Sequence, residues 1–163
     1  MSNDQFDLLT EISQSAIRML ANREHSRFEL KQKLLQRGYA ADLVEQVLEK
    51  LIRQDLLSEQ RFVENFVRNR VNKGYGPLRI TAELQARGID KTTIKRSINQ
   101  TVLAEQQIKI SQVRSKKFGS KLPTNAAEYA KQLRYLQYKG FSAEQIRLEL
   151  RLSIDTAAVA DED

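Results

Sequence analysis

The sequence predicts an all-α protein built from three tandem three-helix, helix-turn-helix-like repeats in an elongated, curved array. Three observations carry that expectation. Apolar residues recur at helical spacing. No stretch alternates apolar and polar residues long enough to make a strand. A short motif ending in glycine returns at intervals of 50 and 52 residues.

The helical period is carried by Leu30 and Leu34, Val44 and Leu48, Phe62 and Phe66, Ile80 and Leu84, and Ile94 and Ile98, each pair four apart. Ser26 with Glu29 three residues later has the form of a capping box. Pro77 after Gly76 suits a first helical turn. Gly38, Gly88 and Gly140 each follow a helical run, where a left-handed residue ends a helix.

Those glycines define the repeat. Each is preceded by Leu four positions back (Leu34, Leu84, Leu136) and by a cation one back, and followed by a large apolar residue. Val44, Ile94 and Ile146 follow six positions on, then Leu48, Ile98 and Leu150 four later. A three-helix unit buries little alone, so neighbours are expected to stack. The expected units are 8–57, 58–102 and 103–152, with 153–163 an acidic, flexible tail.

Composition narrows the function. The chain has 163 residues, no cysteine and one histidine. Disulfides, zinc-thiolate sites and a cysteine nucleophile are therefore excluded, and metal and cofactor sites are expected to be absent. The N-terminus has neither a basic start nor an apolar core, and no run approaches a membrane span, so a cytoplasmic protein is expected. His25, just before the Ser26 cap, reads as a boundary residue and not as a ligand. No phosphate loop, dinucleotide fingerprint or nucleophile elbow is present, and the reading is of a non-enzyme.

Charge points to the partner. Residues 1–57 carry 8 basic and 9 acidic groups, residues 58–152 carry 19 and 8, and the last eleven carry four acids and no base. A basic body of this kind suits a polyanion or an acidic groove. On the helix starting near Ser58, Phe62, Val63, Phe66 and Val67 cover an arc of about 140°. Arg70 falls inside that arc and needs a carboxylate, with Asp55 or Glu59 the nearest in sequence. Arg61, Arg68 and Lys73 are candidates for outward contacts, as are Arg79, Arg87, Lys116 and Lys117. Arg79 also stands four residues before Glu83, the spacing of a surface ion pair. Gly74-Tyr75-Gly76 is a tight turn or, less favoured, a phosphate-binding helix start. Lys95 and Arg96 lie on what a helix-turn-helix reading makes the recognition helix. Phe118, Tyr129, Tyr135, Tyr138 and Phe141 interleave with the cations of the third unit, as core residues or as stacking platforms.

The stretch Phe62-x-x-x-Phe66-x-x-x-Arg70-x-x-Lys73-Gly-Tyr-Gly-Pro-x-Arg79-Ile80-x-x-Glu83-Leu84-x-x-x-Gly88-Ile89 resembles the signature of the bacterial RecX regulatory proteins. Flanking stretches agree, from Ile17 to Leu34 and from Lys117 to Ile146, so the resemblance spans roughly 15–150. It implies three-helix repeats held by Phe62, Phe66, Arg70, Gly76, Ile80, Leu84 and Gly88. It implies a regulator of the recombinase RecA that binds the RecA filament on single-stranded DNA; a monomer is expected. Such a regulator limits filament extension, ATP hydrolysis, strand exchange and the co-protease activity behind the SOS response. Single-stranded DNA and, weakly and salt-dependently, duplex DNA are the nucleic-acid partners. The competing reading is a helix-turn-helix protein acting on duplex DNA through Lys95 and Arg96. Where the family often carries paired acids before the signature phenylalanine, this chain has Ser58-Glu59.

Overall fold

The computed structural model describes residues 2–102 and 106–160. They form α1 (Asn3–Asn22), α2 (Arg27–Gln36), α3 (Ala41–Arg53), α4 (Glu59–Asn72), α5 (Pro77–Ala86), α6 (Lys91–Val102), α7 (Gln106–Phe118), α8 (Ala126–Lys139) and α9 (Ala143–Ala160). Among the described residues there is no strand. By contacts the chain divides into two compact units, residues 1–66 with 84–90, and residues 67–83 with 91–163. Helices α4 and α5 therefore each give residues to both.

The first unit is centred on α1, α2 and α3. Ile12 and Ala16 of α1, Leu30 and Leu34 of α2, and Val44, Val47, Leu48 and Leu51 of α3 form one buried cluster. Leu30, Leu34, Val44 and Leu48 are the i, i+4 residues singled out in the sequence. The Ser26 cap forms as expected, with the Glu29 amide donating to Ser26 Oγ at 3.1 Å. Ser26 Oγ itself donates to the Arg87 carbonyl at 2.8 Å, so one hydroxyl caps α2 and anchors the chain after α5. His25 is 2% exposed and wedged at this corner. Its Nδ1 lies 3.0 Å from the Arg23 carbonyl and its Nε2 3.0 Å from Lys33 Nζ. An ammonium can only donate, so Nε2 accepts and Nδ1 carries the proton. Burial, first of all, holds this imidazole below its ordinary pKa. It is a structural boundary residue.

The second unit is centred on α7, α8 and α9, with Ile110, Leu136, Phe141, Ile146 and Leu150 at its core. Arg114 of α7 and Glu149 of α9 form a buried ion pair at 3.0 Å, each residue 5% exposed. Helix α9 continues to Ala160. Residues 153–160, expected in a frayed tail, thus lie in a helix, and the alanines at 157, 158 and 160 favour that state. Residues 161–163 of the expected tail lie outside the described residues.

The glycine motif has a structural cause. The Ile89 amide donates to the Leu84 carbonyl at 3.1 Å and the Gly88 amide to Gln85 at 3.0 Å. The Phe141 amide does the same to Leu136 and the Gly140 amide to Gln137. This is the Schellman arrangement, in which the left-handed residue is followed by an apolar residue that meets the leucine of the last turn. Gly88 and Gly140 have φ of 78° and 99°. Leu34, Leu84 and Leu136 are all buried, as are Val44, Ile94 and Ile146. Helix α3 ends without a glycine, Asp55 taking the left-handed position with φ 57°.

Candidate functional site

The sequence-predicted cations fall into two groups. In the first unit, Arg61 and Arg87 are engaged by the protein itself. Arg61 Nε donates to Glu24 Oε1 at 2.9 Å, Nη2 to the Asp55 carbonyl at 2.6 Å, and Nη1 lies 3.0 Å from Asp55 Oδ1. The Glu24 hydrogen bond, foremost, raises the Arg61 pKa further above the ordinary arginine value. Arg87 pairs with Glu29 at 3.4 Å and lies 4.8 Å from the centre of the Phe66 ring. Glu29 also takes Arg23 at 2.7 Å. These arginines tie the α1–α2 and α3–α4 connections, α2, α4 and the end of α5 together, a use that sequence spacing did not reveal.

In the second unit the signature residues converge on Tyr75. Arg79 lies 4.2 Å from its ring centre, Lys139 4.7 Å and Arg70 5.5 Å. A ring face attracts cations through its quadrupole, so one tyrosine gathers three charges from α4, α5 and α8. Glu83 offsets them, Arg70 Nε standing 2.8 Å from Oε2 and Arg79 Nε 3.3 Å from Oε1. Arg79 Nη1 further donates to the Tyr138 carbonyl at 3.3 Å. The carboxylate for Arg70 is therefore Glu83, not Asp55 or Glu59. Glu59 sits eleven residues before Arg70 in the same helix, about 16 Å along its axis. Asp55 is taken by Arg61.

The Gly74-Tyr75-Gly76 turn does not hold a phosphate. The Gly76 amide donates to the Lys139 carbonyl at 2.7 Å and the Leu78 amide to the Gly140 carbonyl at 2.9 Å. The N-terminus of α5 thus abuts the C-terminus of α8, and the two helix ends satisfy one another's orphan groups. A Cβ on Gly76 would stand 2.4 Å from the Gly140 carbonyl carbon and oxygen, which is why this position carries none.

Of the other candidates, Arg68 is exposed on α4, Lys95 and Arg96 on α6, and Lys73 in the turn after α4. Lys116 and Lys117 are exposed at the end of α7. The structure brings Lys73, Lys116 and Lys117 into one groove of about 460 Å³. Lys109 and Lys139 join them, and Tyr135 forms part of the wall. Sequence reasoning did not group these last two lysines with the others, because only folding places α7 and α8 beside the α4–α5 turn. Among the aromatics, Phe141 is core, Tyr129 and Tyr135 pack against the core cluster, and Phe118 meets Tyr135 edge-on at 5.3 Å. Tyr138 is 69% exposed. No group of three or more metal-ligating side chains occurs among the described residues, and no helix among them is long and apolar enough to cross a membrane.

Comparison with known proteins supplies the lineage. Three family models match in order: the first three-helix domain of RecX over residues 14–51, the second over 58–98 and the third over 104–148. A regulatory protein RecX from Pseudomonas syringae pv. tomato is 40% identical over 140 residues, 86% of this chain and 90% of that protein. One from Halorhodospira halophila is 40% identical over 152 residues, 93% and 89% respectively. The crystal structure of RecX from Lactobacillus salivarius superposes with a TM-score of 0.77 at 24% identity, covering 90% of this chain and 98% of that one. Three domain matches in order and this level of identity over most of both chains settle the kinship: the protein belongs to the RecX family of regulatory proteins.

Proposed function

We propose that this protein modulates the recombinase RecA by binding its filament on single-stranded DNA, without catalysing a reaction of its own. Membership of the RecX family carries this reading. Three three-helix domains in tandem would reach successive recombinase subunits along the filament groove. Contacts bridging neighbouring subunits would slow the motions that accompany ATP turnover and would restrain filament extension, strand exchange and co-protease activity. The charge distribution supports a polyanionic partner. The first unit carries 10 basic and 12 acidic residues, net −2, whereas the second carries 17 and 9, net +8. A surface of one sign raises the encounter rate with an oppositely charged assembly.

The test is RecA ATP hydrolysis on single-stranded DNA while this protein is titrated in, at a salt concentration where it scarcely binds DNA alone. Inhibition is expected, and Lys73→Glu should weaken it. Undiminished hydrolysis, together with tight binding to a selected duplex through the exposed Lys95 and Arg96 of α6, would replace this reading with a duplex-binding one.

A further inference from the structure

The groove between the α4–α5 turn, α7 and α8 has a ligand chemistry of its own. Its lining includes Lys73, Lys109, Lys116, Lys117 and Lys139, and no carboxylate among the described residues. This differs from the arginines of the same chain. Arg61, Arg70, Arg79, Arg87 and Arg114 each face a glutamate or aspartate. These five guanidiniums are paired internally, whereas five ammonium groups gather around one concavity. Five like charges around about 460 Å³ repel one another unless an anion lies between them.

The lining also limits the kind of anion. A planar carboxylate is best met by the fork of arginine, and none of these five cations is an arginine. Lysine is a compact point charge on a flexible stem that suits phosphate oxygens approached from several directions. The volume lies within the range of sites for small ligands, about 300–1,000 Å³, and exceeds what one phosphate fills. Tyr135 stands in the wall with Lys117 and Lys139 at 5.6 and 5.7 Å from its ring centre. Both ammonium groups lie within reach of that ring face, which helps to hold them at the groove.

We propose that this groove binds a run of consecutive phosphate groups, whether the backbone of a single nucleic-acid strand or a free oligophosphate chain. Filament binding is not required: the isolated protein would bind phosphates, so failure here and failure of the RecA reading are seen in separate assays.

The experiment uses the full chain and the fluorescence anisotropy of a labelled short oligothymidylate across a salt series, with inorganic tripolyphosphate and ATP as competitors. The variants are Lys109→Gln with Lys139→Gln, and separately Lys116→Gln with Lys117→Gln, each checked for native helix content. Each removed lysine–phosphate contact lowers the slope of log affinity against log salt by about 0.7 for a single strand. Either pair should then flatten the slope by about 1.4, roughly a 25-fold loss at about 0.1 M salt relative to 1 M. The control Lys95→Gln with Arg96→Gln should leave the slope unchanged. Competition by tripolyphosphate at concentrations comparable in phosphate to the oligonucleotide would identify a free phosphate chain as the ligand. Weak competition would identify the spacing of a phosphodiester backbone, and either result upholds the site. The proposal is overturned if both groove variants keep the wild-type slope, or if neither oligothymidylate nor tripolyphosphate binds.

Discussion

Replacing Gly76 by alanine probes the junction on which the second unit depends. The new Cβ would sit 2.4 Å from both the carbonyl carbon and the oxygen of Gly140 and 2.5 Å from the Phe141 nitrogen. All three are backbone atoms, so no side-chain rotation relieves the contact. An ordinary contact needs at least 3.4 Å, so α5 and the end of α8 must part by about 1 Å. That displacement strains two short hydrogen bonds, Gly76 amide to Lys139 carbonyl and Leu78 amide to Gly140 carbonyl. Each contributes about 1 kcal/mol. Overpacking adds about 1–3 kcal/mol. The sum is about 3–5 kcal/mol, or a fall in Tm of about 6–20 °C for a chain of this size. Thermal unfolding followed by circular dichroism measures it. Gly38→Ala is the comparison, since its φ is 89° but nothing lies within 4 Å of the added Cβ. Its loss should be only the cost of a left-handed alanine, about 1–2 kcal/mol. If Gly76→Ala lowered Tm no more than Gly38→Ala, the close approach of α5 to α8 would be wrong.

Other perturbations test the remaining contacts. Glu149→Ala strands Arg114 in the second unit's core and should cost about 3–5 kcal/mol in urea unfolding, while the apolar pair Arg114→Met with Glu149→Leu should recover most of it; equal losses in both would show that the ion pair is not what burial there depends on. Ser26→Ala removes the α2 cap and the bond to the Arg87 carbonyl, so a loss of at least about 1 kcal/mol is expected, and a loss below about 0.3 kcal/mol would contradict the cap's dual role. His25 is held below its usual pKa, 6.5, mainly by burial and further by the charges of Arg23 and Lys33, against the opposing hydrogen bond to the Arg23 carbonyl and the charge of Glu29. The unfolded state then binds the proton more readily, so stability is full above about pH 6.5 and declines as pH falls through the window beneath it; His25→Gln should flatten that part of a stability–pH profile, and an unchanged profile would remove His25 as its source.

The all-α class, the threefold repeat and most of its buried residues follow from the sequence alone, because both causes are local. An i, i+4 apolar stripe must face a core, and a Leu-to-Gly-to-apolar string makes its own Schellman turn from residues five apart. Phe62, Ile80, Leu84, Ile94 and Leu136 are buried as their spacing requires. Apart from the Arg79–Glu83 pair, whose i, i+4 spacing is in the sequence, the charges were legible only as an excess. Sequence distance pointed Arg70 at Asp55 or Glu59, and the fold gave it Glu83. Arg61 and Arg87 look like surface cations in one dimension, yet they meet Glu24 and Glu29, 37 and 58 residues earlier in the chain. The five-lysine groove likewise joins residues from 73 to 139. Long flexible side chains carry no periodic signal, and an ion pair is chosen by whichever opposite charge packing brings within about 4 Å. That choice belongs to the tertiary structure, which is why it alone decided which cations brace the protein and which gather in the groove.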